Sequence, residues 1–253
     1  MTRSHPTLFA SSSSSSLSSA SASALAFAFV FAIAPSAADA AADLPVTRTW
    51  VFQARLDGKP IGEHRFVVVD DGGRRTVTSD ARFDVKLLGF TVYRYVFHAA
   101  ERWSGDCLQS LAADTDDDGT PARVRAEREG ERLRIRGGTA DVDAAGCVMT
   151  YAYWNPALRA QTRLLNPQTG RVDAVTITAA APGSIEVGAR RIDAQRFRIA
   201  APPGPVDVWT TPDGEWVGLD AGVKGGRTLS YRLREKPAVS AASRGSPAPS
   251  PPS

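Results

Sequence analysis

The chain has 253 residues, and its 30 Lys and Arg against 27 Asp and Glu leave a formal charge of only +3. The two signs are interspersed and the arginines alternate with apolar residues, which excludes the clustered basic face that a nucleic acid needs. Only His64 and His98 lie beyond residue 40, too few for the usual multi-histidine zinc sites.

Residues 1–40 read as an export signal. The apolar run Leu25 to Ala34 has the length of an h-region and is shorter than the roughly 20 apolar residues that cross a bilayer. Pro35 breaks it, and Ala38-Asp39-Ala40 has the small-x-small form of a cleavage site, which predicts Ala41 as the mature amino terminus. Arg3 as the sole side-chain cation and the Ser11–Ser16 run are untypical of an n-region, so an uncleaved anchor is the alternative. No Cys follows the run, which argues against a lipoprotein. The expected location is periplasmic or secreted, with no transmembrane segment after cleavage. Residues 41–236 are expected to form a single β-rich domain, and residues 237–253, rich in Pro, Ser and Ala, a disordered tail.

Trp50, Phe52, Ala54 and Leu56 alternate with polar residues, and Asp57-Gly58 signals a hairpin. Ile61 to Asp70 answers with His64, Phe66 and Val68 on one face. Val77, Ser79, Ala81, Phe83 and Val85 share the next apolar face. Leu87 to Phe90 is an apolar corner, followed by a strand placing Tyr93, Tyr95, Phe97, Glu101 and Trp103 together. Further strands are expected at Cys107–Leu111, Ala122–Glu127, Arg132–Arg136, Val172–Ala180, Arg190–Ala200, Val206–Thr211, Glu215–Asp220 and Arg227–Leu233. About a dozen strands without βαβ alternation mean an all-β protein. So many strands do not lie flat, so the expectation is a strongly curved antiparallel sheet, half-barrel or barrel, with one short helical capping segment.

That segment is the break between Cys147 and Gly170. Tyr151, Tyr153 and Trp154 precede Asn155-Pro156, Ala157 to Leu165 has helix-forming residues, and Asn166-Pro167 closes it. Cys107 and Cys147 are the only cysteines, and in an exported chain a pair most often forms a disulfide. Free thiols or a catalytic Cys are the rival readings.

Several stretches together resemble a family of exported bacterial proteins known as domain of unknown function 6134. They are Leu56-Asp57-Gly58 with Ile61-Gly62-Glu63-His64, Ala81-x-Phe83, Tyr93-x-Tyr95 leading to Glu101-x-Trp103, Gly105-Asp106-Cys107-Leu108, Tyr153-Trp154-Asn155-Pro156, and Leu164-Leu165-Asn166-x-x-Thr169-Gly170. The resemblance implies a periplasmic β-rich protein and brings no catalytic residues with it. The plan of a curved sheet under a short cover is also similar to lipoprotein carriers of the LolA/LolB kind, a likeness of architecture only.

Candidate chemistry is sparse. His64 and Glu101 on neighbouring apolar faces would make a carboxylate–imidazole pair able to do acid–base work; the alternative is a hydrogen-bonded core pair. A serine hydrolase lacks Gly-x-Ser-x-Gly, and no histidine follows His98. Asp114, Asp116 and Asp118 open like a calcium loop, but Arg125 stands where the bidentate Glu belongs, so an acidic hairpin turn competes with the metal site. Tyr151, Tyr153, Trp154 and Asn155 either line an apolar pocket or pack the cap onto the sheet. No cofactor is expected. The first functional reading is a non-enzymatic binder of an apolar, lipid-like ligand or an envelope partner. A hydrolase using His64 and Glu101, or a purely structural envelope protein, are the alternatives.

Overall fold

The computed structural model describes residues 44–241 except residue 140. The expected signal segment and most of the expected tail therefore lie outside the described residues.

Eight strands follow one another as an antiparallel meander: β1 (Val46–Leu56), β2 (Lys59–Asp71), β3 (Arg74–Leu87), β4 (Phe90–Ser104), β5 (Cys107–Asp117), β6 (Thr120–Glu129), β7 (Arg132–Gly137) and β8 (Val142–Ala145). Their turns obey local chemistry. Asp57 and Gly58 both have positive φ, as a two-residue hairpin turn with the strands' twist requires. The chain then leaves the sheet and forms a small hairpin from β9 (Arg163–Leu165) and β10 (Val172–Ala174). A second meander follows: β11 (Thr176–Val187), β12 (Arg190–Ala200), β13 (Val206–Thr210), β14 (Trp216–Val223) and β15 (Arg227–Leu233). β15 pairs with Phe52–Leu56 of β1, so the two meanders fuse into one sheet whose ends are β8 and β11, and a short strand that adds to β1 brings it to 14 strands.

The sheet is a half-barrel, strongly curled at its β11 end. There the Gly188 N–H donates to the Leu233 carbonyl at 2.8 Å, and Arg55 of β1 meets Glu186 at 3.0 Å. Gly218 of β14 allows this closeness, because a Cβ there would sit 2.6 Å from both the Tyr231 carbonyl oxygen and Ile185 Cδ1. The alternating apolar residues read from the sequence are the concave face. Trp50, Phe52, Ala54, Val77, Ala81, Phe97, Trp103, Leu111, Leu133, Ile135 and Leu219 are all buried in one core. Their polar neighbours face outward, as expected for a sheet with one wet side.

Three local expectations change. The capping helix is one 3-10 turn, Pro156–Ala160, not a helix to Leu165: Arg163–Leu165 pairs as a strand with Val172–Ala174. Two Asn-Pro boundaries enclose too few residues for a helix that nucleates in isolation. The strand expected over Val172–Ala180 divides at Val175, whose N–H donates to the Thr162 carbonyl at 2.8 Å. Finally, Ala238–Ala241, inside the segment expected to be disordered, forms β16 along Val46–Thr49 of β1. That half of β1 extends beyond β15 and offers free ladder groups, which the composition of the tail does not reveal.

The break between β8 and β11 must travel from one end of the sheet to the other. It does so across the concave face. Val148, Met149, Leu158, Leu164 and Leu165 are fully buried there, so the segment plugs the core as well as capping the sheet. Its head is fixed by the Cys107–Cys147 disulfide and by the Leu108 N–H donating to the Val148 carbonyl at 3.0 Å. The Leu165 N–H donates to the Met149 carbonyl at 2.8 Å, closing the segment on itself.

Candidate functional site

Between the plug and the sheet lies a cavity of about 230 Å³. Its floor is Phe66, Val77, Phe97 and Ala99, and its far wall Val206, Leu219, Leu229 and Tyr231. Thr150 to Trp154 and Asn166 to Gln168 cover it, with the loop Ala201–Gly204 at the rim. Aromatic walls around a few polar groups are the usual make-up of a small-molecule site.

Two polar clusters reach this cavity. His64 is buried, with Nδ1 3.1 Å from the Tyr231 hydroxyl and Nε2 2.7 Å from Ser79 Oγ. Its ring stacks on Phe66 with centroids 4.0 Å apart. Burial pushes its pKa down to about 3, so the imidazole is neutral, with one nitrogen donating and one accepting. Burial pushes Glu101 up to about 7, against the opposing effect of hydrogen bonds from Trp103 and Thr150. Trp103 Nε1–H donates to Oε2 at 2.8 Å, and the Thr150 hydroxyl lies 3.4 Å from the same oxygen.

His64 and Glu101 do not form the carboxylate–imidazole pair that the sequence suggested. β3 separates their strands: His64 is in register with Ala81 and Phe97, whereas Glu101 is in register with Val77 and Val68. They share a cavity but not a hydrogen bond. Ser79 and Tyr231 were the missed members, and the available signal was a polar residue on an apolar alternation. Ser79 beside an imidazole lacks two further parts that serine hydrolysis uses. It lies mid-strand between β2 and β4, where ladder bonds use the backbone amides that an oxyanion hole would require. No carboxylate orients His64, because its second nitrogen meets a tyrosine.

The cap residues divide. The Tyr151 hydroxyl donates to Asp173 at 3.2 Å, Tyr153 packs tilted against Trp216, and Trp154 stands edge-on to buried Trp103 under the Arg75 guanidinium. All three rings line the cavity. Asn155 does not line it. Its side-chain oxygen accepts from the Ala157 N–H at 3.0 Å and its amide donates to Asp106 at 2.9 Å, capping the 3-10 turn. The acidic triplet is also spoken for. Asp114 takes two hydrogen bonds from Arg125, Asp116 accepts from the Gly119 N–H, and Asp118 from the Arg94 N–H. Asp118-Gly119 is itself the β5–β6 hairpin turn, with positive φ at both residues. His98 is exposed and bonds Asp80 at 2.6 Å.

The geometry defines a half-open, β-barrel-like protein with a plugged concave face. The same fold occurs in the crystal structure of a beta-barrel-like protein of domain of unknown function DUF1849 from Brucella abortus. It aligns at a TM-score of 0.54 and 12% identity over 79% of this chain and 98% of that one. Residues 52–234 match the family model of domain of unknown function DUF6134, and the chain belongs to that family. No curated protein matches the chain.

Proposed function

We propose that this is an exported, non-enzymatic binding protein of the cell envelope, which holds a small, largely apolar molecule between its plug and its sheet. The carrying observation is the cavity itself: aromatic and aliphatic walls, two buried polar clusters, and a cover built from a dedicated chain segment. Export is supported by the signal-like segment and by the paired cysteines, since disulfides persist in oxidising compartments. Among the described residues no helix is long and apolar enough to cross a membrane. About 230 Å³ is below the usual range for drug-sized ligands, roughly 300–1,000 Å³. The occupant is therefore a small molecule or the end of a longer one, not a whole lipid chain folded inside. The test is mass spectrometry of what co-purifies with the exported protein, beside uptake of a small apolar fluorophore. A bound small molecule displaced by the fluorophore is the expected result. A protein that carries nothing and takes up nothing would leave a structural role in its place.

A further inference from the structure

Among the described residues Glu101 is the one carboxyl lining the cavity, and it is only 8% exposed. Trp103 Nε1–H and the Thr150 hydroxyl both point at its Oε2, an arrangement that favours the ionised form. Its other oxygen, Oε1, has no hydrogen-bond partner among the described residues. Among the described residues no Lys or Arg lines the cavity. Without a cationic neighbour such a carboxyl keeps its proton to higher pH, and it ionises more readily when a cation joins it. A cation entering the cavity would find Oε1 available as an acceptor.

The surroundings select the same class. Phe66, Phe97, Tyr151, Tyr153 and Trp154 line the cavity, and aromatic faces attract cations. An anionic head, carboxylate or phosphate, would meet no positive group and one acidic one. We propose that the cavity binds a small organic cation, its ammonium hydrogen-bonded to Glu101 and its carbon body against the aromatic walls. This rests on the reading of the cavity as a ligand site.

The other titratable groups around Glu101 do not take the cation's place. His64 on β2 is neutral, and the Tyr151, Tyr153 and Tyr231 hydroxyls are held protonated by burial. Asp173 on β10 accepts from Tyr151. Arg75 on β3 lies over Trp154 and is paired with Asp70 at 2.7 Å and Asp106 at 3.5 Å. Below neutrality Glu101 is protonated in the empty cavity, so binding an ammonium there releases that proton, and affinity rises with pH.

Three ligands of one shape and different charge decide the matter: benzylamine, benzyl alcohol and benzoate, titrated calorimetrically into the purified exported protein. At about pH 8 benzylamine should bind about tenfold more tightly than benzyl alcohol, with benzoate weakest. From about pH 8 to about pH 6 benzylamine should lose about tenfold while benzyl alcohol is unchanged. Glu101→Gln should abolish the preference for the amine. If benzyl alcohol or benzoate binds as well as benzylamine to the wild type, the cation assignment fails and the ligand site stands. If none of the three binds, the cavity is not a ligand site and both readings fall. The wild-type series and its pH profile decide even if the variant does not fold.

Discussion

Glu101 and His64 lie on one apolar face, and the same cause, burial, drives their protonation in opposite senses. Glu101 rises from 4.5 to about 7, so the folded chain holds its proton more tightly than the unfolded one. Its contribution to stability is complete below about 4.5 and is lost as pH rises through about 7. His64 falls from 6.5 to about 3, so its contribution is complete above about 6.5 and is lost as pH falls towards about 3. Where these windows overlap, from about 4.5 to about 6.5, the two slopes cancel: the unfolded chain carries the proton on His64, and the folded chain carries it on Glu101. Glu101→Gln removes one slope. Its stability relative to wild type should grow by roughly 3 kcal/mol between about pH 4 and about pH 8, measured by chemical denaturation. A difference constant with pH would mean that Glu101 titrates as an ordinary solvated carboxyl. Sequence alternation placed both residues on the buried face. It could not place them in a pair or out of one, because His64–Tyr231 and Glu101–Thr150 are contacts across 167 and 49 residues.

At the scale of the element, the plug is where local signals worked best and also misled. Aromatics, two Asn-Pro steps and a cysteine marked the interruption, and its tie to β5 through Cys107 is the pairing expected of two cysteines in an exported chain. Its helical extent was overstated, because pairing with β10 outcompeted the weak propensity of Ala157 to Leu165. Trp154 tests what the plug does. The ring is half-buried, edge-on to Trp103 with centroids 5.5 Å apart, and lines the cavity. Trp154→Ala should therefore cost about 1–3 kcal/mol, less than the truncation of a fully buried ring, and should weaken fluorophore uptake. Denaturation and dye binding measured side by side separate the two effects. Stability and uptake both equal to wild type would remove Trp154 from core and site alike.

For the whole molecule, curvature is the decisive property. The sheet brings Tyr231 of β15 to His64 of β2 across β1, and it folds the end of β11 onto β14 and β15. Gly218 has no room for a Cβ between Ile185 of β11 and the Tyr231 carbonyl of β15, so Gly218→Ala should cost about 1–3 kcal/mol, since that carbonyl is backbone and cannot rotate away. Gly222 on the same strand meets nothing within 4 Å, and Gly222→Ala should be nearly neutral. Thermal denaturation of both variants is the check, and equal effects would refute the close packing at Gly218.

By itself the sequence determined the all-β class, the buried face of the first four strands, several of the turns and the position of the plug. All of these are set within a few residues, by alternation with period two and by the φ demands of turn residues. Only the tertiary structure decided which strands meet, that the plug crosses the concave face, and that it leaves a cavity over Glu101. Those depend on how the twist of 14 strands accumulates into a coil, a sum over the whole sheet that no local pattern encodes.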